Sequence, residues 1–296
     1  MRILLTGVTG QVGGALAPTL DRLATVVAAD RAVLDLAKPA AVKTVLDRLA
    51  PDLIVNPAAY TAVDRAEDEP DIAYLVNADS PAEMARWAAG RGVPLLHFST
   101  DYVFDGSGDR PWREDDPTGP LNVYGASKLA GETAIRRAGG PHLIVRTSWV
   151  YAARGRNFLQ TMSALASERA ELRVVADQVG APTSAALLAQ VVADILARGD
   201  DLPARFAAAR GLVHVAAAGE ASWHEFASAI VEGLRARGVP LAVRRVLPVR
   251  SEDYPTKARR PRNSRLALQR LRDVFGLAPP DWRAALAAEL DKLAGR

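Results

Sequence analysis

The sequence predicts an α/β fold: a doubly wound parallel sheet with a smaller C-terminal lobe. Three observations predict it. A short apolar run at the N-terminus leads straight into a glycine-rich turn, further apolar runs alternate with amphipathic stretches through the first half, and the rhythm changes after about residue 150. Short apolar runs bounded by turn residues read as strands buried on both faces, and helical stretches between them make parallel βαβ units.

Taken in order, Ile3–Thr6 is the first expected strand. Val12, Ala15, Leu16, Leu20 and Leu23 then fall on one helical face, with Pro18 expected to kink or shorten that helix. Val26–Ala29 and Leu53–Asn56 are the next strands, followed by a helix over Asp71–Gly90 and a strand over Pro94–Ser99. A helix over Tyr124–Ala138 and a strand over His142–Thr147 complete the first half. Beyond it, helices are expected over Asn157–Ser167, Ser184–Ala197, Ser222–Arg237 and Asp281–Leu293. Short strands are expected at Leu172–Val175, Leu212–Val215 and Val243–Val246. Polar, proline-containing connections occupy Asp105–Pro120 and Arg250–Asn263.

With 296 residues, 49% of them apolar and 24% charged, the chain has ordinary globular composition and ample length for a core. A net charge of +3 argues against a nucleic-acid partner. The absence of cysteine excludes disulfides, thiolate catalysis and Cys-ligated zinc. Met1-Arg2 leads directly into a strand, and no apolar run approaches the roughly 18 residues that span a bilayer. The expectation is a soluble, cytoplasmic protein with no membrane partner.

The opening reads Ile3-Leu4-Leu5-Thr6-Gly7-Val8-Thr9-Gly10-Gln11-Val12-Gly13-Gly14. In a strand–turn–helix unit of this kind Gly7 permits the tight turn, Gly10 the close approach of a pyrophosphate, and Gly13 close packing of helix on strand. The helix start offers N–H groups and a favourable dipole to phosphate. Asp30 ends the next strand about 20 residues on, where a ribose partner is expected. Arg31 follows and suits a 2′-phosphate. The alternative is a plain glycine turn with Asp30 capping a strand, and the strand–helix context favours the dinucleotide site. Residues 1–150 are thus expected to form a Rossmann-type NAD(P)-binding domain. NADPH is the expected cofactor, with NADH left open. Gly7, Thr9, Gly10, Gln11, Val12, Gly13, Asp30, Arg31, Asp35, Leu36, Ala58, Ala59 and Tyr60 are its expected contacts.

Tyr124-Gly125-Ala126-Ser127-Lys128 places a phenol and an ammonium one helical turn apart on a single face. An unperturbed phenol is a poor acid–base group near neutrality, and an adjacent ammonium favours its phenolate. Tyr124 is then the candidate proton donor to a carbonyl oxygen, with Lys128 also expected to hold the nicotinamide ribose. Thr100 closes the fourth strand, at the end that faces the ligand crevice in open α/β sheets, and its hydroxyl is expected to polarise the same carbonyl.

The spacing Gly-x-x-Gly-x-x-Gly, together with Asn56-Pro57-Ala58-Ala59-Tyr60 and Asn77, resembles the extended short-chain dehydrogenase/reductase superfamily. Within it, Thr6–Gly13, Asn56–Pro70, Ser99–Gly106, Pro120–Glu132, Arg146–Tyr151, Asn157-Phe158, Asp177–Thr183 and Arg260–Leu266 together resemble the dTDP-4-dehydrorhamnose reductase family, through nearly the whole chain. The resemblance implies NAD(P)H-dependent reduction of the C4 ketone of dTDP-4-dehydro-L-rhamnose. It implies that Asp101, Tyr102 and Trp149 line the sugar pocket, and that Thr61 and Val63 lie beside sugar and nicotinamide. Arg260 and Asn263 would belong to a diphosphate clamp, and residues 151–296 would form mainly the sugar-nucleotide lobe, with the chain crossing between lobes. The bland alternatives are Asp101 as a turn cap, Trp149 as core, and Arg259, Arg260, Arg262 and Arg265 as a solvated basic stretch.

The chain departs from the family pattern at Ala152, where glycine is common, and at Lys257, where proline is common. Ala15 and Ala186 stand where some members carry glutamates that join a metal at a dimer interface, so no metal is expected here, while a homodimer is left open. His97, His142, His214 and His224 are scattered and expected in core or surface roles. Two other functions compete. An epimerase or dehydratase of the same superfamily is one, although Tyr102 after Asp101 argues against dehydration. A non-catalytic regulatory homologue is the other, and intact Tyr124, Lys128 and Thr100 argue against it.

Overall fold

The computed structural model describes residues 1–197 and 201–295. Six parallel strands form the central sheet: β1 (Arg2–Thr6), β2 (Thr25–Ala29), β3 (Leu53–Asn56), β4 (Leu95–Thr100), β5 (His142–Thr147) and β6 (Leu212–His214). Their order is β2-β1-β3-β4-β5-β6. Every residue of β3 and β4 is buried, as strands covered on both faces require. Alternate side chains serve opposite cores: Ile3, Leu5, Val55, Leu96 and Val145 join one, while Leu4, Ile54, Leu95 and Ile144 join the other.

The helices Gln11–Leu20 and Ala185–Ala197 cover the first face through Leu16, Leu20, Leu188 and Val192. Pro39–Leu49, Ser80–Ala89 and Val123–Ala138 cover the second through Val42, Leu46, Met84 and Ile135. The crossovers diverge between β1 and β3, which opens a crevice at the C-terminal strand ends.

Several elements differ from expectation. Pro18 lies inside the first helix, which ends soon after it at Leu20. The helix Pro39–Leu49 was not expected from the sequence pattern, nor were Leu202–Ala208 and Gln269–Phe275. The helix expected over Asp71–Gly90 is Pro70–Tyr74, a π-helical turn Leu75–Asp79, and Ser80–Ala89 in series. Asn77 sits in that wide turn. Its Oδ1 accepts from the Tyr60 N–H at 2.9 Å, and its Nδ2 donates to Tyr60 O and Ser127 Oγ, both at 3.0 Å. The strand expected at Val243–Val246 begins later, at Arg245–Val249, because the N–H groups of Val243 and Arg244 bond to Ala166 O and Ala170 O ahead of the ladder; the strand pairs with Glu171–Val175 outside the main sheet.

Candidate active site

A cleft of about 540 Å³ lies over the crevice. Gly7, Thr9, Gly10, Gln11, Val12 and Gly13 form one wall, and two of the glycines are dictated by sterics. Gly7 has φ +58°, and a Cβ there would stand 2.9 Å from Ala58 Cα; a Cβ on Gly13 would stand 2.2 Å from the Gly7 carbonyl oxygen. No side chain caps the helix that starts at Gln11, so its first N–H groups remain for an anion.

Asp30, Arg31, Asp35 and Leu36 continue this wall, and Ala58, Ala59, Thr61 and Val63 face it. Asp30 is also a turn cap: its Oδ1 accepts from Ala32 N–H at 2.9 Å and Val33 N–H at 3.1 Å. Tyr60 does not line the cleft. Asn77 holds its backbone, and its hydroxyl donates to Glu69 Oε2 at 2.6 Å.

Thr100, Tyr124 and Lys128 converge on the cleft floor. The helix carrying the last two is capped by Asn122, whose Oδ1 accepts from Gly125 N–H at 2.8 Å. A Cβ on Gly125 would stand 2.2 Å from Tyr102 O, so glycine lets the helix meet the loop after β4 closely. Burial pushes the Tyr124 phenol up to about 12, with a hydrogen bond to Thr100 working the other way, so the ring keeps its proton near neutrality. Burial lowers the Lys128 ammonium to about 8, against the Glu132 charge. Lys128 Nζ donates to Phe98 O at 2.6 Å and lies 3.2 Å from His97 Nε2. His97 is fully buried and held neutral, by desolvation and then by the Lys128 charge, and its other ring nitrogen lies 3.0 Å from the Asn56 amide. Glu132 is in turn gripped by Arg146, at 2.8 and 2.7 Å, and by the Ser99 hydroxyl at 2.6 Å.

On the far wall, Asp101 is buried and accepts from the Thr100 hydroxyl at 3.0 Å. Desolvation raises its carboxyl to about 6, against hydrogen bonds from Ser264 and Thr100. Tyr102 packs edge-on to Tyr124, centroids 5.7 Å apart. The Trp149 ring stacks on Trp223 at 3.6 Å and 7°. Gly180 leaves room for that ring, since a Cβ there would stand 2.6 Å from it.

Two expected substrate contacts do not themselves line the cleft, although Arg260 hydrogen-bonds Tyr102, which does. Arg260 forks onto Asp64 at 3.0 and 2.7 Å. Asn263 is buried and clamps two connections together: its Nδ2 donates to Arg110 O at 2.8 Å, and its Oδ1 accepts from Arg265 Nε at 2.9 Å. Most of the surrounding basic run is paired, through Lys257–Asp68, Arg260–Asp64, Arg262–Glu252 and Arg265–Glu220. Conversely, Phe98, Thr147, Ser148, Arg156, Asn157 and Trp223 line the cleft without having been assigned a contact there from the sequence. Thr147 and Ser148 follow the strand-end rule that identified Thr100; Trp223 carries no such signal, because its contact with Trp149 is tertiary. Among the described residues no group of three or more His, Asp or Glu side chains could hold a metal ion, and no helix is long and apolar enough to cross a membrane.

A glycine cradle at a helix start, set beside a buried Tyr–Lys pair and a strand-end threonine, defines an oxidoreductase of the extended short-chain dehydrogenase/reductase class. The profile of the family described as "RmlD substrate binding domain" matches residues 1–294. The chain is 47% identical to a dTDP-4-dehydrorhamnose reductase of Burkholderia thailandensis, with 97% of each chain covered. A reductase of that name from Clostridium acetobutylicum superposes with a TM-score of 0.89 at 36% identity, covering 99% of both chains. One from Bacillus anthracis, solved in complex with NADP, gives 0.88 at 34%, covering 98% of this chain and 99% of that one. The chain belongs to the dTDP-4-dehydrorhamnose reductase family.

Proposed function

We propose that the protein reduces the C4 ketone of dTDP-4-dehydro-L-rhamnose to dTDP-L-rhamnose with NADPH. The observation that carries this reading is the meeting of Thr100, Tyr124 and Lys128 in one cleft with the open glycine cradle. The cradle fits a dinucleotide: Gly7 and Gly13 let the turn pack tightly against Ala58 and the helix start, whose first N–H groups face an anion site with no side-chain cap. The dinucleotide, when bound, supplies hydride to the ketone carbon.

The protein's part is to hold and protonate. Tyr124 carries its proton into the reaction, because burial opposes the phenolate. It delivers that proton to the oxygen that becomes a hydroxyl. Thr100, next to it, turns its hydroxyl from Asp101 to donate a hydrogen bond to the same oxygen and polarise the carbonyl. The Lys128 ammonium favours the phenolate left behind, and Phe98 O and His97 aim it. Asp101, Tyr102 and Trp149 form the sugar-side wall, with Trp223 behind Trp149. Residues 1–150 supply the cofactor wall and also Asp101, Tyr102 and Trp149, while residues 151–296 add Arg156, Asn157 and Trp223 to the cleft.

The test is oxidation of NADPH and of NADH by the purified protein, with the ketosugar nucleotide generated in situ and the product identified. Substrate-dependent oxidation yielding dTDP-L-rhamnose is expected. No oxidation, with the supplying enzymes shown to work, would overturn the reading.

A further inference from the structure

Arg156 lines the cleft, yet the proposed reaction gives it no task. It sits in the turn between the short strand Val150–Tyr151 and the helix Phe158–Glu168. Asn157 shapes that turn from within. Its Nδ2 donates to Ala152 O at 2.9 Å and Arg154 O at 3.1 Å, and its Oδ1 caps the following helix by accepting from Gln160 N–H at 3.1 Å. The same amide reaches Gln11, the first residue of the helix behind the glycine cradle, donating to its Oε1 at 2.9 Å. Gly155 has φ +79°, and a Cβ there would lie 3.7 Å from Gln11 Cγ. The turn is therefore tied to the cradle from the opposite lobe.

It presents a guanidinium there that is exposed and, among the described residues, has no carboxylate in ion-pair range. Arg146, Arg260, Arg265 and Arg270 are all paired with acids. An unpaired guanidinium beside helix-start N–H groups suits a doubly anionic oxygen cluster, which it can fork.

We propose that Arg156 is a cofactor contact, meeting the pyrophosphate of the dinucleotide at the N-terminal end of helix Gln11–Leu20. This rests on the reading of the cleft as a dinucleotide site. The second lobe thereby closes over the cofactor as well as over the sugar, through a residue of the turn that Asn157 ties to the phosphate loop.

Calorimetric titration of the intact protein with NADPH, NADH and dTDP tests this, comparing Arg156→Gln with Arg154→Gln, a change at an exposed neighbour outside the cleft lining. A charge-assisted hydrogen bond of the usual strength predicts that Arg156→Gln weakens NADPH and NADH alike by roughly 10-fold, with a shallower salt dependence. Arg154→Gln and the affinity for dTDP should stay within about twofold of the parent, and Arg156→Lys should recover part of the loss. Unchanged dinucleotide affinity in Arg156→Gln would overturn the proposal. Loss confined to NADPH would overturn it in favour of the 2′-phosphate, and loss confined to dTDP in favour of the sugar nucleotide. If the parent protein bound neither dinucleotide, the reading of the cleft itself would fail, a result distinct from all of these.

Discussion

Replacing Lys128 by Met separates what this side chain does in the reaction from what it costs the fold. Lys128 is 2% exposed, and burial holds its ammonium at about 8 against an ordinary 10.5. Between those two values the unfolded chain binds more protons than the native one, so the native state gains stability as pH rises through that window. The penalty is fully present below pH 8 and relieved near pH 10.5. At about 1.4 kcal/mol per pH unit, this amounts to about 3 kcal/mol. Methionine has similar reach and no charge, so Lys128→Met removes the pH-dependent contribution. It also leaves Phe98 O without its donor, an offset of about 1–3 kcal/mol that does not vary with pH in this range. The informative quantity is therefore the difference in unfolding free energy between parent and variant, from urea titrations at several pH values between 7 and 10.5. The parent should gain on the variant by about 3 kcal/mol across that range. A difference that stays flat would refute the claim that burial of a charged Lys128 is what shifts it. The variant's turnover should be lost at every pH.

Tyr124→Phe should lower turnover by about 10²- to 10⁴-fold while NADPH affinity stays close to the parent's; steady-state rates paired with calorimetry check both halves. Glu132→Gln leaves Arg146 buried without its carboxylate and should destabilise the protein by about 3–5 kcal/mol, read in urea. Adding Arg146→Met should recover most of that loss, whereas two additive losses would contradict the pairing. Gly13→Ala places a methyl against the Gly7 carbonyl and should weaken dinucleotide binding roughly tenfold or more, since the loop rather than the strand must yield. Equal affinity in that variant would mean that the cradle is not where the phosphates sit.

The parts of the molecule legible in the sequence are those whose causes are local. β1 and β3 announce themselves because parallel strands need apolar residues on both faces, and the glycine cradle and the Tyr124–Lys128 spacing each follow from backbone geometry within one turn. The π-helical turn at Asn77 is not legible, because it exists to meet partners elsewhere, Tyr60 and Ser127. Helices as short as Leu202–Ala208 and Gln269–Phe275 leave too few turns for a periodicity to register. Arg260 carries chemistry that suits a phosphate, and only the fold shows that it also meets Asp64, far away in the chain. His97 reads as one polar residue in an apolar strand; only the fold brings Lys128 and Asn56 to its two nitrogens.

The sixth strand has a mechanical consequence. β6 comes from the half of the chain that adds Arg156, Asn157 and Trp223 to the cleft, yet it is hydrogen-bonded to β5 in register, Leu212 beside Ile144 and His214 beside Arg146. The helix Ala185–Ala197 from the same half lies in the core beside Gln11–Leu20. The two walls of the cleft are thus riveted to one slab. A clamshell hinge between halves would have to peel a strand from that slab and strip a helix from its apolar bed. Whatever movement ligand entry and release require is thus confined to the short connections at the rim, such as the turn that carries Arg156.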